Sequence, residues 1–318
     1  MTLSGSSADD TTGSVGTGAG RGPARTALLV GGGALAVLVV LLGAGFAARG
    51  TGELRIPAAG ATTVLRAVVL VALALHLGEL VGARLVGTGP VPRSTAGAAA
   101  SAGALGAAGQ IVLLASVSGL DITEVYGTAD GRFLLVMANG FLLAAGCVAL
   151  DRPALAAFPL AFVVGAEALR AHPEPYTPLL GAALTVVHLT AASLWTGGLL
   201  YVLRTVRLRR GDPAGRPLAR YARLAGWLFA ALVATGTVST IRRLPADVVF
   251  GTAYGRVLIA KLLLVGVVSA LALAARARLR RGADPGRAAR AELAVLGVVV
   301  LLSAILTVVP DPHWLSVR

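Results

Sequence analysis

Residues 186–210 read "VVHLTAASLWTGGLLYVLRTVRLRR". From 186 to 203 there is no Asp, Glu, Lys or Arg, and then four arginines arrive within seven positions. A helix over that uncharged run is roughly 27 Å long, close to the hydrocarbon thickness of a bilayer. The arginines that end it are the border expected of a cytoplasmic loop. One polar side chain, His188, lies where water should be absent, and it needs an explanation of its own.

The rest of the chain repeats this pattern. Of 318 residues, 56% are hydrophobic and only 14% charged, with a mean hydropathy of +0.81. Soluble domains carry roughly 25% charged residues, so a water-soluble core cannot hide this much apolar surface. The net charge of +13 is not a nucleic-acid footprint, because the basic residues border apolar runs as the positive-inside rule requires. The fold class that follows is all-α: a polytopic transmembrane helical bundle. Strand-length alternation, the mark of a membrane β-barrel, is missing. Runs near 27–48, 61–86, 96–118, 132–150, 154–170, 178–203, 223–241, 256–275 and 291–309 predict about nine spans, the fifth being short. Residues 1–25, rich in Gly, Ser and Thr, are expected to be a disordered cytoplasmic tail. The first run reads as an uncleaved anchor in preference to a signal peptide, because it starts late and is long. The chain divides into this tail, N-terminal helices over 26–170 and a C-terminal set over 171–318.

The two most basic loops, 204–223 and 276–290, are expected inside. Alternation from them puts the N-terminus in the cytoplasm and the C-terminus outside, with the acidic segment "DITEVYGTAD" (121–130) also outside. Arg49, Arg55, Arg242 and Arg243 fall on the outer side and run against the rule. Crowded small residues, as in "GAAASAGALGAAG" (97–109), allow close helix packing.

One cysteine, Cys147, excludes an intrachain disulfide and a Cys-based metal motif. Two methionines, one of them the initiator, exclude a thioether-lined copper path. No ATPase loop, nucleophile–base pair or soluble catalytic domain is visible, so the chain does not read as an enzyme.

Charges within spans are costly unless paired or wetted, and they define the candidates. These are His76, Glu79, Glu167, His188, Lys261 and Glu292. His76 and Glu79 are three apart and share a helical face. The carboxylate either orients the imidazole from behind, as carboxylates do for metal-bound histidines, or the two satisfy each other in a helix interface. His188 is about ten residues into its span, roughly 15 Å deep. Trp195 and Thr185 lie on nearly the same face, Trp195 as a supporting side chain. His188 is either a metal ligand or a hydrogen-bonding residue facing a neighbouring helix. Its depth and that of His76, roughly 15 and 22 Å from the outer surface, predict a shared polar site between them. His172, in "EALRAHPEPYTP", sits at the outer mouth, where it could capture a cation or serve as an ordinary loop residue. His313, beside Asp311, is also expected outside. Lys261 and Glu167, at similar depths, are expected to form a structural ion pair. Glu292, opening the last span, suits a helix N-terminus.

Several stretches carry a family resemblance. "HLTAASLWTGGLLYVL" resembles the His…W-x-G-G-L signature of the copper resistance D (CopD) membrane proteins. "RYARLAGWLFAALVATGTVST", "TAYGRVLIAKLLLVGVVSALA" and "AELAVLGVVVLLSAILTVVP" are similar to the family's following helices, in the family's order. The resemblance runs from about 172 to 310. It implies a plasma-membrane protein of copper uptake or homeostasis, with metal contacts at His172 and His188 and also His76. It marks Tyr254, Gly255, Arg256 and Lys261 as motif positions without an assigned role. The chain lacks the fused copper-binding β-domain of fuller members, so a copper donor would be a separate extracytoplasmic protein. It also has "RAHPEP" where the family often has Gly-His-Ala. The competing readings are a haem-binding membrane redox protein, with two facing histidines on the iron, and a non-transporting scaffold for copper delivery. An absorption spectrum separates haem from copper.

Overall fold

The structure is a computed structural model, described here over residues 22–54, 56–171, 177–209 and 215–310. Among these, the helices in chain order are α1 (Gly22–Ala47), α2 (Ala59–Val86), α3 (Ala96–Ser118), a single turn α4 (Ile122–Val125), α5 (Ala129–Ala149), α6 (Ala157–Arg170), α7 (Pro178–Leu208), α8 (Gly215–Arg243), α9 (Ala253–Arg280) and α10 (Gly286–Leu306). No strand occurs among the described residues. Eight helices are long and apolar enough to cross a membrane. They are α2, α3, α5, α6 with the 3₁₀ turn before it, and α7 to α10. With apolar α1 they account for all nine expected runs.

Local signals explain the helix ends. Asp121 and Glu124 form a reciprocal capping box on α4, and Thr128 and Thr252 accept the backbone N–H of Gly131 and Gly255 at the starts of α5 and α9. Pro153 and Pro178 occupy first-turn positions, where a missing N–H costs nothing.

The two largest of four clusters of buried side chains form most of the core. One lies among α2, α3, α5 and α6 around Leu73, Leu134, Met137, Phe141, Leu160 and Val163. The other lies among α7, α8, α9 and α10 around Trp195, Leu199, Val202, Tyr221, Val268 and Leu296. The pair α2–α7 joins them. A Cβ built on Gly78 would stand 2.1 Å from the carbonyl carbon of Gly197, and one on Gly82 would stand 2.6 Å from the Tyr201 ring. The backbones therefore touch, which only glycine permits. The contacts advance together along both helices, so α2 and α7 run parallel. Parallel helices require an odd number of crossings between them, so with α3 and α5 both crossing the short α6 must cross as well.

The arginine-rich loops gather at one end of the bundle. At that end Arg209 donates to the carbonyls of Val86 and Pro90, and Arg276 donates to that of Ala222. At the opposite end the ionic groups are built into the packing. Glu53 accepts the N–H of Ala253. Arg256 donates to the carbonyls of Ala47 and Arg49, and Arg242 donates to Thr177. Of the arginines that run against a simple charge count, Arg242 reaches Thr177 before α7, Arg49 lies over the Phe46 ring, and Arg55 lies outside the described residues.

Candidate functional site

His188 lies on the side of α7 that faces α8. Its Nδ1 is 2.9 Å from the Thr235 hydroxyl. That hydroxyl donates its own proton to the Ala231 carbonyl at 2.7 Å, so it accepts from the imidazole. The Nδ1 therefore carries the hydrogen, and Nε2 keeps a free lone pair. Gly236 packs beside the ring at ordinary contact distance, since a Cβ there would be 3.5 Å from Cε1. Lys261, on α9, is the charged group that acts on this ring electrostatically. The ring is half-buried. The site is thus a neutral imidazole held by α8 with an available nitrogen and a lysine nearby.

His76 is different. It is fully buried, and neither ring nitrogen has a hydrogen-bond partner. In the α2–α7 register, Gly78 is level with Gly197 and Gly82 with Tyr201, which puts His76 level with Trp195. His188 is seven residues from that level, about 10 Å along the axis. The helical period also turns His76 nearly opposite to the Gly78 face of α2, and His188 opposite to the Gly197 face of α7. His76 therefore faces α3 while His188 faces α8. The expected shared site between them does not form, because the two helices meet backbone to backbone with both rings turned outward.

Three further expectations change. Glu79 does not support His76. Its carboxylate accepts from the Thr95 N–H at 2.9 Å and the Thr95 hydroxyl at 3.2 Å, where it serves the N-terminus of α3. Arg204 donates to the same hydroxyl and to the Arg93 carbonyl. Trp195 does not support His188, because its indole N–H donates to Glu292 at 2.9 Å. Its ring meets Phe229 edge-on at 5.8 Å, and its carbonyl accepts the Tyr221 hydroxyl at 2.8 Å. Glu292 is accordingly not a helix-start residue: α10 begins at Gly286, and Glu292 is 3% exposed in its interior.

The ion pair of Lys261 with Glu167 is likewise replaced. Glu167 pairs with Arg170 one turn away at 3.1 Å, and Arg170 also donates to Gln110 of α3 at 2.9 Å. Arg66 of α2 completes this group and donates to the Thr307 carbonyl at 2.7 Å. Arg66 lies inside the predicted span 61–86, so the rule that singled out the other intramembrane charges applied to it as well. His172 and His313 lie outside the described residues. Among the described residues no three His, Cys, Asp or Glu side chains gather in a metal-holding group.

The helices around His188 can now be compared with known proteins. Residues 215–309 match the CopD family, Copper resistance protein D. The matched segment covers α8, α9 and α10, with Thr235, Lys261 and Glu292 inside it. His188 and Trp195 are on α7, before the segment begins, yet each makes its hydrogen bond to a residue of the matched segment. No curated protein and no solved structure gives a match.

The CopD segment also explains its motif positions. Gly255 packs so closely that a Cβ would sit 1.8 Å from the Val249 carbonyl oxygen. Tyr254 is buried, and Arg256 ties the start of α9 to the end of α1. These three are architectural, whereas Lys261 acts on the His188 ring electrostatically.

Proposed function

We propose that the protein moves copper ions across the plasma membrane, as a permease of uptake or resistance, and not as an enzyme. The carrying observation is the single available imidazole nitrogen of His188, held within the membrane by a residue of the CopD segment. Neutral imidazole suits copper, and Cu(I) accepts few ligands. One protein ligand at this depth gives a weak site, which suits passage, since a conducted ion must leave as readily as it enters. Lys261, while protonated, repels any cation at this nitrogen, so it keeps the site weak. The arginine-rich end faces the cytoplasm in this reading, and His172, expected from the sequence at the outer mouth, receives the ion from a separate extracytoplasmic copper-binding protein. His76 is a packing residue of α2–α3 in this scheme.

The test is His188→Gln, which keeps polarity and bulk. Expected outcomes are normal membrane expression and cellular copper accumulation reduced several-fold, read by elemental analysis. Unchanged accumulation and unchanged Cu(I) binding by the purified protein would remove His188 from any copper path. The haem reading needs two facing histidines, and His76 and His188 face different interfaces. A Soret band in the purified protein would restore it. Normal copper binding without any effect on accumulation would favour the scaffold.

A further inference from the structure

A cavity of about 200 Å³ lies among α7, α8, α9 and α10, toward the arginine-rich end. It is separate from the His188 site. Its walls include the aromatic rings of Trp195, Tyr221 and Phe229, and Arg276 and Glu292 also line it. Small residues, Ala222 and Gly226 on α8 and Ala272 on α9, make the room. Leu273 stands at its rim and is 66% exposed, so the cavity opens on the lipid-facing side between α8 and α9.

Two polar groups distinguish this space from a lipid groove. Glu292 is 3% exposed, yet one of its carboxylate oxygens has no protein partner among the described residues, the other being held by the Trp195 indole. An ionisable group so placed within a membrane is a functional candidate by default. Arg276 reaches across from α9 to the Ala222 carbonyl at 3.1 Å and bounds the cavity at the arginine-rich end. The interior thus offers a buried acceptor, flat aromatic walls and a lateral entry from lipid.

We propose that this cavity binds the headgroup of a lipid-soluble phenol or hydroquinone, whose hydroxyl donates to Glu292. Size supports a single ring: a cavity of about 150 Å³ accepts benzene, and this one is modestly larger. Aromatic walls suit stacked or edge-on ring contact. The hydroxyl reaches the carboxylate oxygen that Trp195 leaves free, and an alkyl tail leaves past Leu273 into the bilayer. A plain acyl chain fills the volume without using Glu292. The proposal concerns binding alone and stands apart from the copper reading, since no atom of the His188 site takes part.

The experiment is equilibrium binding of tritiated 4-decylphenol to the full chain in nanodiscs, with empty nanodiscs measuring partition into lipid. The methyl ether, 4-decylanisole, is the control without a donor. One saturable site is expected, with the ether about tenfold weaker, since a buried hydrogen bond is worth about that much. Glu292→Gln keeps an acceptor for Trp195 and should weaken phenol binding about tenfold, toward the level of the ether. Ala272→Leu should abolish binding by filling the cavity. If it fails to fold, Ala222→Leu fills the same space from the other wall. Absence of a saturable site would overturn the proposal. So would equal binding of phenol and ether, which would mean an apolar-chain site, or unchanged binding in the filled variant.

Discussion

Gly197→Ala tests the contact that sends His76 and His188 to opposite sides. A Cβ at this position would stand 1.8 Å from the Ala74 carbonyl oxygen and 2.9 Å from the Gly78 Cα. Both neighbours are backbone, so no side-chain end can swing away. Restoring an ordinary contact of 3.4 Å parts α2 and α7 by roughly 1.5 Å over that turn, and the interfaces on either side of the contact open with it. Overpacking costs 1–3 kcal/mol in cores that can adjust, and a backbone-to-backbone clash belongs near about 3 kcal/mol. At roughly 2 °C per kcal/mol for a chain of this size, the melting midpoint should fall by about 6 °C. Thermal unfolding in detergent, followed by the fraction that remains monodisperse, reads this directly. Gly165→Ala is the control, because a Cβ there meets nothing within 4 Å, and it should melt at or up to about 2 °C above the parent, since alanine favours the helix by about 1 kcal/mol. A Gly197→Ala protein that melts with the parent would mean that α2 and α7 do not touch at this register. The argument that separates the two histidines would then fall.

Trp195→Phe leaves the buried Glu292 without its donor and should cost about 2 kcal/mol of stability, whereas Glu292→Gln, which still accepts from the indole, should cost less; the same melting assay ranks them. Thr235→Val removes the acceptor of His188 Nδ1 and frees the ring, so copper accumulation should drop, but less than in His188→Gln. Arg170→Met strands Glu167 in the bundle at a cost of about 3–5 kcal/mol and should abolish expression, and adding Glu167→Leu should restore it; quantitative membrane blots decide. In a Cys147→Ser background, a cysteine at Ala283 should resist an impermeant thiol reagent in intact cells while one at Leu120 reacts, and the reverse result would invert the proposed orientation.

The helical bundle was legible in the sequence because hydropathy is summed over about twenty residues, and no single side chain can overturn such a sum. Even the short run 154–170 is a crossing helix, as the parallel course of α2 and α7 requires. The directions of individual polar side chains were not legible in the same way. His76 and Glu79 share a face of α2 by spacing, but Glu79 is drawn to Thr95, a helix start that spacing within α2 does not reveal. Lys261 and Glu167 match in depth, but depth is one coordinate of three, and Arg170 was one turn from Glu167 all along. A nearby partner in sequence needs no assumption about which helices are neighbours, so it should have been preferred to a distant one.

The same reasoning recovers what the separated histidines mean. Gly78 and Gly82 on α2 and Gly197 on α7 are the small residues at which these two histidine-bearing helices meet. Small residues mark the side on which helices approach, and a histidine half a turn from that side points away from the partner helix. His188 lies nine residues before Gly197, two and a half turns, so the glycine that brings α7 against α2 is also what commits His188 to α8. Thr235 and Gly236 meet it there, one as a hydrogen-bond acceptor and one at ordinary packing distance. The availability of Nε2 therefore depends on a packing choice made elsewhere on the same helix. A copper path through His188 must run along α7–α8, and one between α2 and α7 has no room for an ion.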